Sequence, residues 1–261
     1  MPKTKIYACL LYLGFFVNDF YPKTPLCISL GSTCGPALNL RSLGIRTVAY
    51  PFDWVISPFE ALINALNDDF QYFLNDLKIR PGNQGVIDHY GFHFTHDWPT
   101  INQSNIDALN SDFIGNNTLF HSWQKVLPAV KEKYRRRIER LNQACLSKEK
   151  VVFIRADDIS KESAITLRDF FIKKYPNLDF VLVVLRGDIA FQEPWNIDKI
   201  RNFYFPQYND FKLFGKILKQ VDPAFPNISC CRSFHSCWYT RCRGRWGPRA
   251  RLRRVVVPGH C

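Results

Sequence analysis

Apolar, strand-like segments alternate with amphipathic helices through the second half of this 261-residue chain, and this alternation limits the fold most strongly. Residues 150–155 (KVVFIR) and 179–185 (DFVLVVL) are continuous apolar runs, which are typical of strands buried on both faces of a sheet. Helical patterns cover 160–174 and 210–220, and a further candidate strand covers 200–205. The sequence therefore predicts an α/β fold of three layers, in which helices cover both faces of a mainly parallel sheet.

A cysteine lies where the first predicted strand of the chain turns into a helix. Residues 26–30 are apolar and predict a buried strand, and residues 31–33 (GST) are typical of a tight turn. Pro36 suits the first turn of a helix, because its missing N–H costs little there. Cys34 is thus expected at a helix N-terminus, whose positive partial charge favours the nucleophilic thiolate. The alternative is that Cys34 is a small, buried apolar residue, and the residue types leave both interpretations open.

An acidic residue, Asp53, lies between two aromatic residues in the segment 50–54 (YPFDW). The aromatic side chains predict a turn that packs against the core, and a buried carboxylate needs a partner. Asp53 either binds backbone N–H groups of its own turn, which we favour, or points at the Cys34 loop and orients a base. Ser57 follows, and its residue type predicts that it caps the next helix.

Three of the six histidines fall within residues 85–98, a segment that alternates like an edge strand or a hairpin. His89 and His93 would share a face only on a helix, so we expect no metal site, and no cofactor is predicted. His96, which Asp97 follows directly, is the better candidate for chemistry. An imidazole near a thiol accepts its proton and later returns it to a leaving group. The alternative is a structural role, which is common for single histidines.

Most of the net charge of +12 comes from the C-terminal end of the chain. Residues 230–261 hold eight Arg, no Lys and no acidic residue, together with five of the nine cysteines. The rest of the chain has 27 basic and 23 acidic residues, so the charge of the folded body does not indicate nucleic-acid binding. We interpret the tail, 229–261, as disordered or non-native sequence and assign it no function.

The N-terminal part, 1–25, contains twelve largely apolar residues, 6–17, after two lysines. This segment is either a signal-peptide core or short anchor, or a peripheral strand or helix; a membrane span needs about 20 apolar residues. The protein is accordingly expected to be cytoplasmic, or exported if 6–17 acts as a signal. Elsewhere the sequence predicts no membrane contact. Residues 26–228 are predicted to form a single α/β domain.

Five sequence blocks resemble, in the same order, a bacterial family of unknown function whose members are classed as papain-like cysteine peptidases. The blocks are Gly31-Ser32-Thr33-Cys34, Pro51-Phe52-Asp53-Trp54, His96-Asp97-Trp98, Arg136-Arg137-Ile138-Glu139-Arg140 and Val151-Val152-Phe153-Ile154-Arg155. Residues 195–199 (WNIDK) also resemble a late motif of the family. The resemblance covers residues 26–205, and its first two blocks are the most specific.

The resemblance implies a hydrolase or acyl transferase with Cys34 as nucleophile and His96 as base. Its substrate would be a peptide or a small acyl compound. An acid would orient His96, and Asp53, Asp97 and Asp157 are all open for that role. Backbone N–H groups at the helix start, including that of Cys34, would bind the oxyanion.

Ser32, Trp54 and Asp157 are predicted to contact the substrate. Asp157 follows a predicted parallel strand, and ligands gather beyond the carboxyl ends of such strands. Two alternatives are kept. Ser32 would be the nucleophile of an esterase-like α/β hydrolase, or the domain would bind a ligand or a protein without catalysis, with Cys34 buried. The sequence does not indicate an oligomeric state.

Overall fold

The computed structural model describes residues 24–80, 85–98, 123–187, 193–207 and 210–226. The strands in these ranges are β1 (Leu26–Ser29), β2 (Val55–Ile56), β3 (Lys78–Ile79), β4 (Val86–Ile87), β5 (His93–Phe94), β6 (Val151–Ala156), β7 (Phe180–Arg186) and β8 (Ile200–Tyr204). The helices are α1 (Gly35–Ser42), α2 (Phe59–Asn67), α3 (Leu127–Leu146), α4 (Lys161–Lys174) and α5 (Phe211–Val221). A short 3₁₀ helix, Trp123–Val126, leads into α3.

The four longer strands form a parallel sheet in the order β1-β6-β7-β8. Its register places Ile28 beside Phe153 and Phe153 beside Leu182, and all three side chains are fully buried. Aromatic and branched apolar residues of this kind suit a sheet that is covered on both faces. The α/β class and the mainly parallel sheet predicted from the alternating pattern are therefore confirmed.

Two hydrophobic clusters involve alternate residues of the parallel strands. One contains Ile28 and Phe153 with apolar residues of α2, α3 and α4. The other contains Val152 and Val183 with apolar residues of α1 and α5. Because successive side chains of a strand point to opposite faces, each cluster belongs to one face of the sheet. The stacking of the whole domain into three layers stays a prediction.

A second sheet, which the sequence did not predict, joins the four short strands in the order β2-β5-β4-β3. All its pairs are antiparallel. β4 and β5 form the hairpin predicted within 85–98, and β2 extends it by placing Val55 beside Phe94. This pairing brings the segment after Trp54 next to the segment before His96.

The domain boundaries predicted from composition stay predictions. Residues 6–17 and the tail 229–261 lie outside the described residues. Of the helices that the structure describes, none is long and apolar enough to cross a membrane.

Candidate active site

Cys34 lies at the N-terminus of α1, as the sequence predicted. It is the N-cap residue, and its carbonyl oxygen accepts a hydrogen bond from the Leu38 N–H at 2.9 Å. Pro36 occupies the first turn, where its missing N–H leaves no intrahelical bond unmade. The Cys34 side chain is partly exposed, whereas the thiols of Cys27 and Cys145 are buried. Of these three thiols, Cys34 is therefore the one that a substrate can approach.

Ser57 holds the turn between β1 and α1 in an unusual conformation. Gly31 and Ser32 have φ angles of 75° and 73°. Ser57 Oγ accepts a hydrogen bond from the Ser32 N–H at 2.7 Å, and the Ser57 N–H donates to the Ser32 carbonyl at 3.0 Å. A Cβ at Gly31 would lie 2.2 Å from Ser57 Oγ, so only glycine fits this position. The prediction that Ser57 caps α2 is wrong, because Pro58 is its N-cap residue.

Arg155, at the end of β6, is a site residue that the sequence analysis missed. Its side chain is fully buried, and its guanidinium donates to the Leu30 carbonyl at 2.9 Å and to the Ser57 carbonyl at 2.8 Å. A further contact of 3.3 Å joins it to Ser57 Oγ, and Asp157 accepts another N–H. One signal was available: a buried charge at the end of an apolar run must find acceptors.

Asp53 is buried and stabilises its own turn. Its Oδ2 accepts hydrogen bonds from Arg46 Nε at 2.9 Å and from the Tyr50 N–H at 3.0 Å. Burial raises the pKa of the Asp53 carboxyl, and Arg46 together with the Tyr50 hydrogen bond opposes that rise. Neither contact involves His96. The geometry fits the favoured interpretation, with Arg46 as a partner that the sequence did not indicate.

His96 is partly buried and packs edge-on against Trp54, with the ring centres 6.4 Å apart. Its Nδ1 is buried and has no hydrogen-bond partner within the described parts of the chain. Burial lowers the pKa of His96, Asp97 opposes this shift, and Lys133 adds to it. Near pH 7 the imidazole is therefore neutral, which is the form that accepts a proton.

Asp97 directs its carboxylate towards α3. The Tyr134 hydroxyl donates to it at 2.8 Å, and the Lys133 ammonium forms an ion pair with it. Burial opposes ionisation of Asp97, but Lys133 and Arg137 outweigh it, so the pKa of the carboxyl lies below its usual range. Asp97 therefore carries a negative charge that connects the segment of His96 to α3.

Asp157 lies at the C-terminal edge of the parallel sheet and lines a cavity of about 190 Å³. Gly35 and Pro36, which directly follow Cys34, form part of the same wall. The other lining residues are Ala156, Asp158, Leu185, Gly187, Phe205 and Pro206. Pockets for small molecules usually measure roughly 300–1,000 Å³, so this cavity suits one side chain or a small acyl group.

The segment 52–57 connects the cysteine loop with His96. At one end of this segment, the Phe52 backbone lies close to Gly31, since a Cβ added to Gly31 would be 3.1 Å from the Phe52 carbonyl oxygen. At the other end, Ser57 Oγ accepts a hydrogen bond from the Ser32 N–H. Trp54 packs against His96 and is only 3% exposed, which leaves little of its ring open to a substrate. In the described ranges, no group of three His, Cys, Asp or Glu residues is placed to hold a metal ion.

The parallel sheet and the exposed cysteine at its first strand-to-helix turn define an α/β protein with a candidate thiol site. A family with the description "Putative papain-like cysteine peptidase" matches residues 26–188, more than half of the chain, and the chain belongs to this family. The resemblance seen in the motifs is thus confirmed.

The chain is also similar to "Uncharacterized protein R408" of Acanthamoeba polyphaga mimivirus. The two are 28% identical over 179 residues, which cover 61% of this chain and 77% of the viral protein. Because this relative is viral, a bacterial origin is not shown. No solved structure matches the chain significantly.

Proposed function

We propose that this protein is a cysteine-dependent hydrolase or acyl transferase, with Cys34 as nucleophile and His96 as general base. The observation that carries the proposal is the position of Cys34, a partly exposed thiol at the N-terminus of α1. A helix N-terminus stabilises developing negative charge. Membership of a family described as papain-like cysteine peptidases supports the same class of chemistry.

In the proposed reaction, Cys34 Sγ attacks the carbonyl carbon of an amide or ester while His96 takes the thiol proton. The bond to the leaving group breaks, the leaving amine or alcohol receives the proton from His96, and a thioester to Cys34 remains. Water or an acceptor amine or alcohol then attacks the thioester, and its proton passes through His96 to the Cys34 sulfur. Backbone N–H groups at the start of α1 stabilise the oxyanion.

The surroundings of His96 support a base that is neutral before the reaction. Burial lowers its pKa, its ring packs edge-on against Trp54, and its Nδ1 has no hydrogen-bond partner among the described residues. The carboxylates of Asp53 and Asp97 bind Arg46 and Lys133 respectively. We therefore assign these two acids to the support of the site, and we propose that Cys34 and His96 form the catalytic pair among the described residues.

Asp157 is the proposed substrate contact. It lines the cavity beside Gly35, one residue from the nucleophile, and its side chain is 31% exposed. Asp158 lines the same cavity. Arg155 already binds the Asp157 carboxylate, and with Asp158 the cavity wall keeps a second carboxylate, which favours an amino or guanidinium group such as that of a basic peptide side chain. Ser32 is partly exposed in the cysteine loop and keeps its predicted substrate role, whereas the burial of Trp54 argues against one.

The test is hydrolysis of fluorogenic peptides and p-nitrophenyl esters by the wild type, Cys34→Ala, His96→Ala and Ser32→Ala. Thermal unfolding of each variant shows that it is folded. The proposal expects no activity in Cys34→Ala and a loss of about 100-fold or more in His96→Ala. Because Ser32 is assigned only a substrate contact, Ser32→Ala should keep its kcat while its KM rises. Activity that needs Ser32 and survives Cys34→Ala would instead identify a serine esterase. A protein without activity and with an unreactive Cys34 would be a binding module.

A further inference from the structure

We infer that Arg155 is a positioning residue for the Cys34 nucleophile, because its buried guanidinium fixes the turn between β1 and α1. The inference rests on the proposed function, since it assigns a role within the same site. Arg155 acts through Leu30 and Ser57 and does not itself touch the reacting atoms.

The guanidinium makes four hydrogen bonds to described residues, and three of them go to the two segments that hold the cysteine loop. One terminal nitrogen donates to the Leu30 carbonyl at 2.9 Å and contacts Ser57 Oγ at 3.3 Å. The other donates to the Ser57 carbonyl at 2.8 Å and to the Asp157 carboxylate. Leu30 is the last residue before the turn, so the Arg155 guanidinium binds the backbone where the cysteine loop begins.

The Ser57 hydroxyl links Arg155 to the cysteine loop through hydrogen bonds. A hydroxyl has one proton to donate and two lone pairs that accept. Ser57 Oγ accepts from the Ser32 N–H at 2.7 Å and from Arg155, and it lies 3.5 Å from the Leu30 carbonyl, to which it donates. All three capacities of the hydroxyl are used, so it holds Ser32 in its left-handed conformation two residues before the nucleophile.

Packing alone does not account for an arginine at this position. The preceding residues of β6 are fully buried and apolar, and an apolar side chain would fill the same space without desolvating a charge. Arg155 Nε remains without a hydrogen-bond partner in the described part of the chain, a further cost. The planar guanidinium of arginine donates hydrogen bonds to two carbonyls and a hydroxyl at the same time. The ammonium group of lysine cannot reproduce this geometry.

The test measures how fast iodoacetamide alkylates Cys34 in the full-length chain, as a function of pH and resolved by peptide mass spectrometry. The variants are Arg155→Lys and Ser57→Ala. Phe171→Leu is the matched control, because Phe171 is a buried core residue that stacks on Phe153 and packs at a tilted angle against Phe180, the first residue of β7. Melting temperatures and the protection of Cys145 show which variants are folded at the assay temperature.

The inference predicts that both loop variants, while folded, alkylate Cys34 at least about tenfold more slowly than the wild type and with an altered pH profile. Phe171→Leu should lose thermal stability but keep the wild-type profile, which separates positioning from a general loss of stability. Folded variants with the wild-type profile would overturn the inference; if Arg155→Lys does not fold, Ser57→Ala decides alone. A wild-type Cys34 that is inert in the native protein would instead overturn the proposed function itself.

Discussion

Replacing Asp97 with Asn should destabilise the fold while leaving Cys34 reactive. The carboxylate is 2% exposed, and Lys133, whose side chain is 13% exposed, forms an ion pair with it. Asn keeps one acceptor for the Tyr134 hydroxyl but removes the negative charge that Asp97 presents to the Lys133 ammonium. Removing one member of a buried pair costs about 3–5 kcal/mol, and losing one hydrogen bond to a charged group costs about 1.5–3 kcal/mol. Because Lys133 keeps some access to water, we expect a loss of about 2–3 kcal/mol.

Urea unfolding at pH 7 measures this loss as a lower midpoint with an unchanged slope. Tyr134→Phe is the control, because it removes one hydrogen bond to Asp97 and leaves the ion pair intact. The pKa of Asp97 is lower in the folded state, so its stabilisation is present above the unfolded value, about 3.9, and is lost as pH falls through the folded value. The difference between wild type and Asp97→Asn should therefore shrink in acid.

Two results would refute this account of Asp97. Equal urea midpoints at pH 7 would show that the ion pair does not stabilise the fold. An Asp97→Asn variant that is fully folded, yet has lost the reactivity of Cys34, would show that Asp97 orients His96 after all.

The other predictions concern the cysteine loop, its neighbouring turn and a buried thiol. Gly31→Ala should lower the melting temperature much more than Gly44→Ala. Both glycines have a positive φ, where an alanine costs about 1–2 kcal/mol, but only at Gly31 would the added Cβ also lie 2.2 Å from Ser57 Oγ. Equal shifts in circular-dichroism melts would contradict this. Asp53→Asn should cost about 1.5–3 kcal/mol in urea unfolding, because its carboxylate binds a guanidinium and a backbone N–H, and an unchanged midpoint would count against that role. Cys145 should resist iodoacetamide in the native protein at about pH 8, because burial raises its pKa to about 12. Alkylation of Cys145 as fast as that of Cys34 would contradict this prediction.

The sequence could predict the elements whose pattern is local. The strands β6 and β7 are long apolar runs, and Pro36 marks the start of α1. The antiparallel sheet could not be predicted, because each of its strands has two residues and an alternating pattern needs about four.

The contacts that build the site are long-range, and residue types do not reveal them. Arg155 binds Leu30 across 125 positions and Ser57 across 98. Ser57 has the residue type of a helix cap, but its hydroxyl binds the Ser32 N–H instead. Similarly, the sequence identified Asp97 as acidic and close to a histidine, but it could not show that Lys133, 36 positions later, would bind its carboxylate.

The most direct test of a Cys34–His96 pair is the pH dependence of Cys34 alkylation in the wild type and in His96→Ala, followed by peptide mass spectrometry. We predict that Cys34 reacts in the native protein while Cys145 stays protected, and that His96→Ala slows the reaction at least about tenfold near pH 7. Burial lowers the pKa of His96 below its usual 6.5, so its contribution should persist at pH 6.5 and disappear only in more acidic solution, as the imidazole becomes protonated. A Cys34 that stays inert until the protein unfolds, or one whose rate does not change in His96→Ala, would contradict the account.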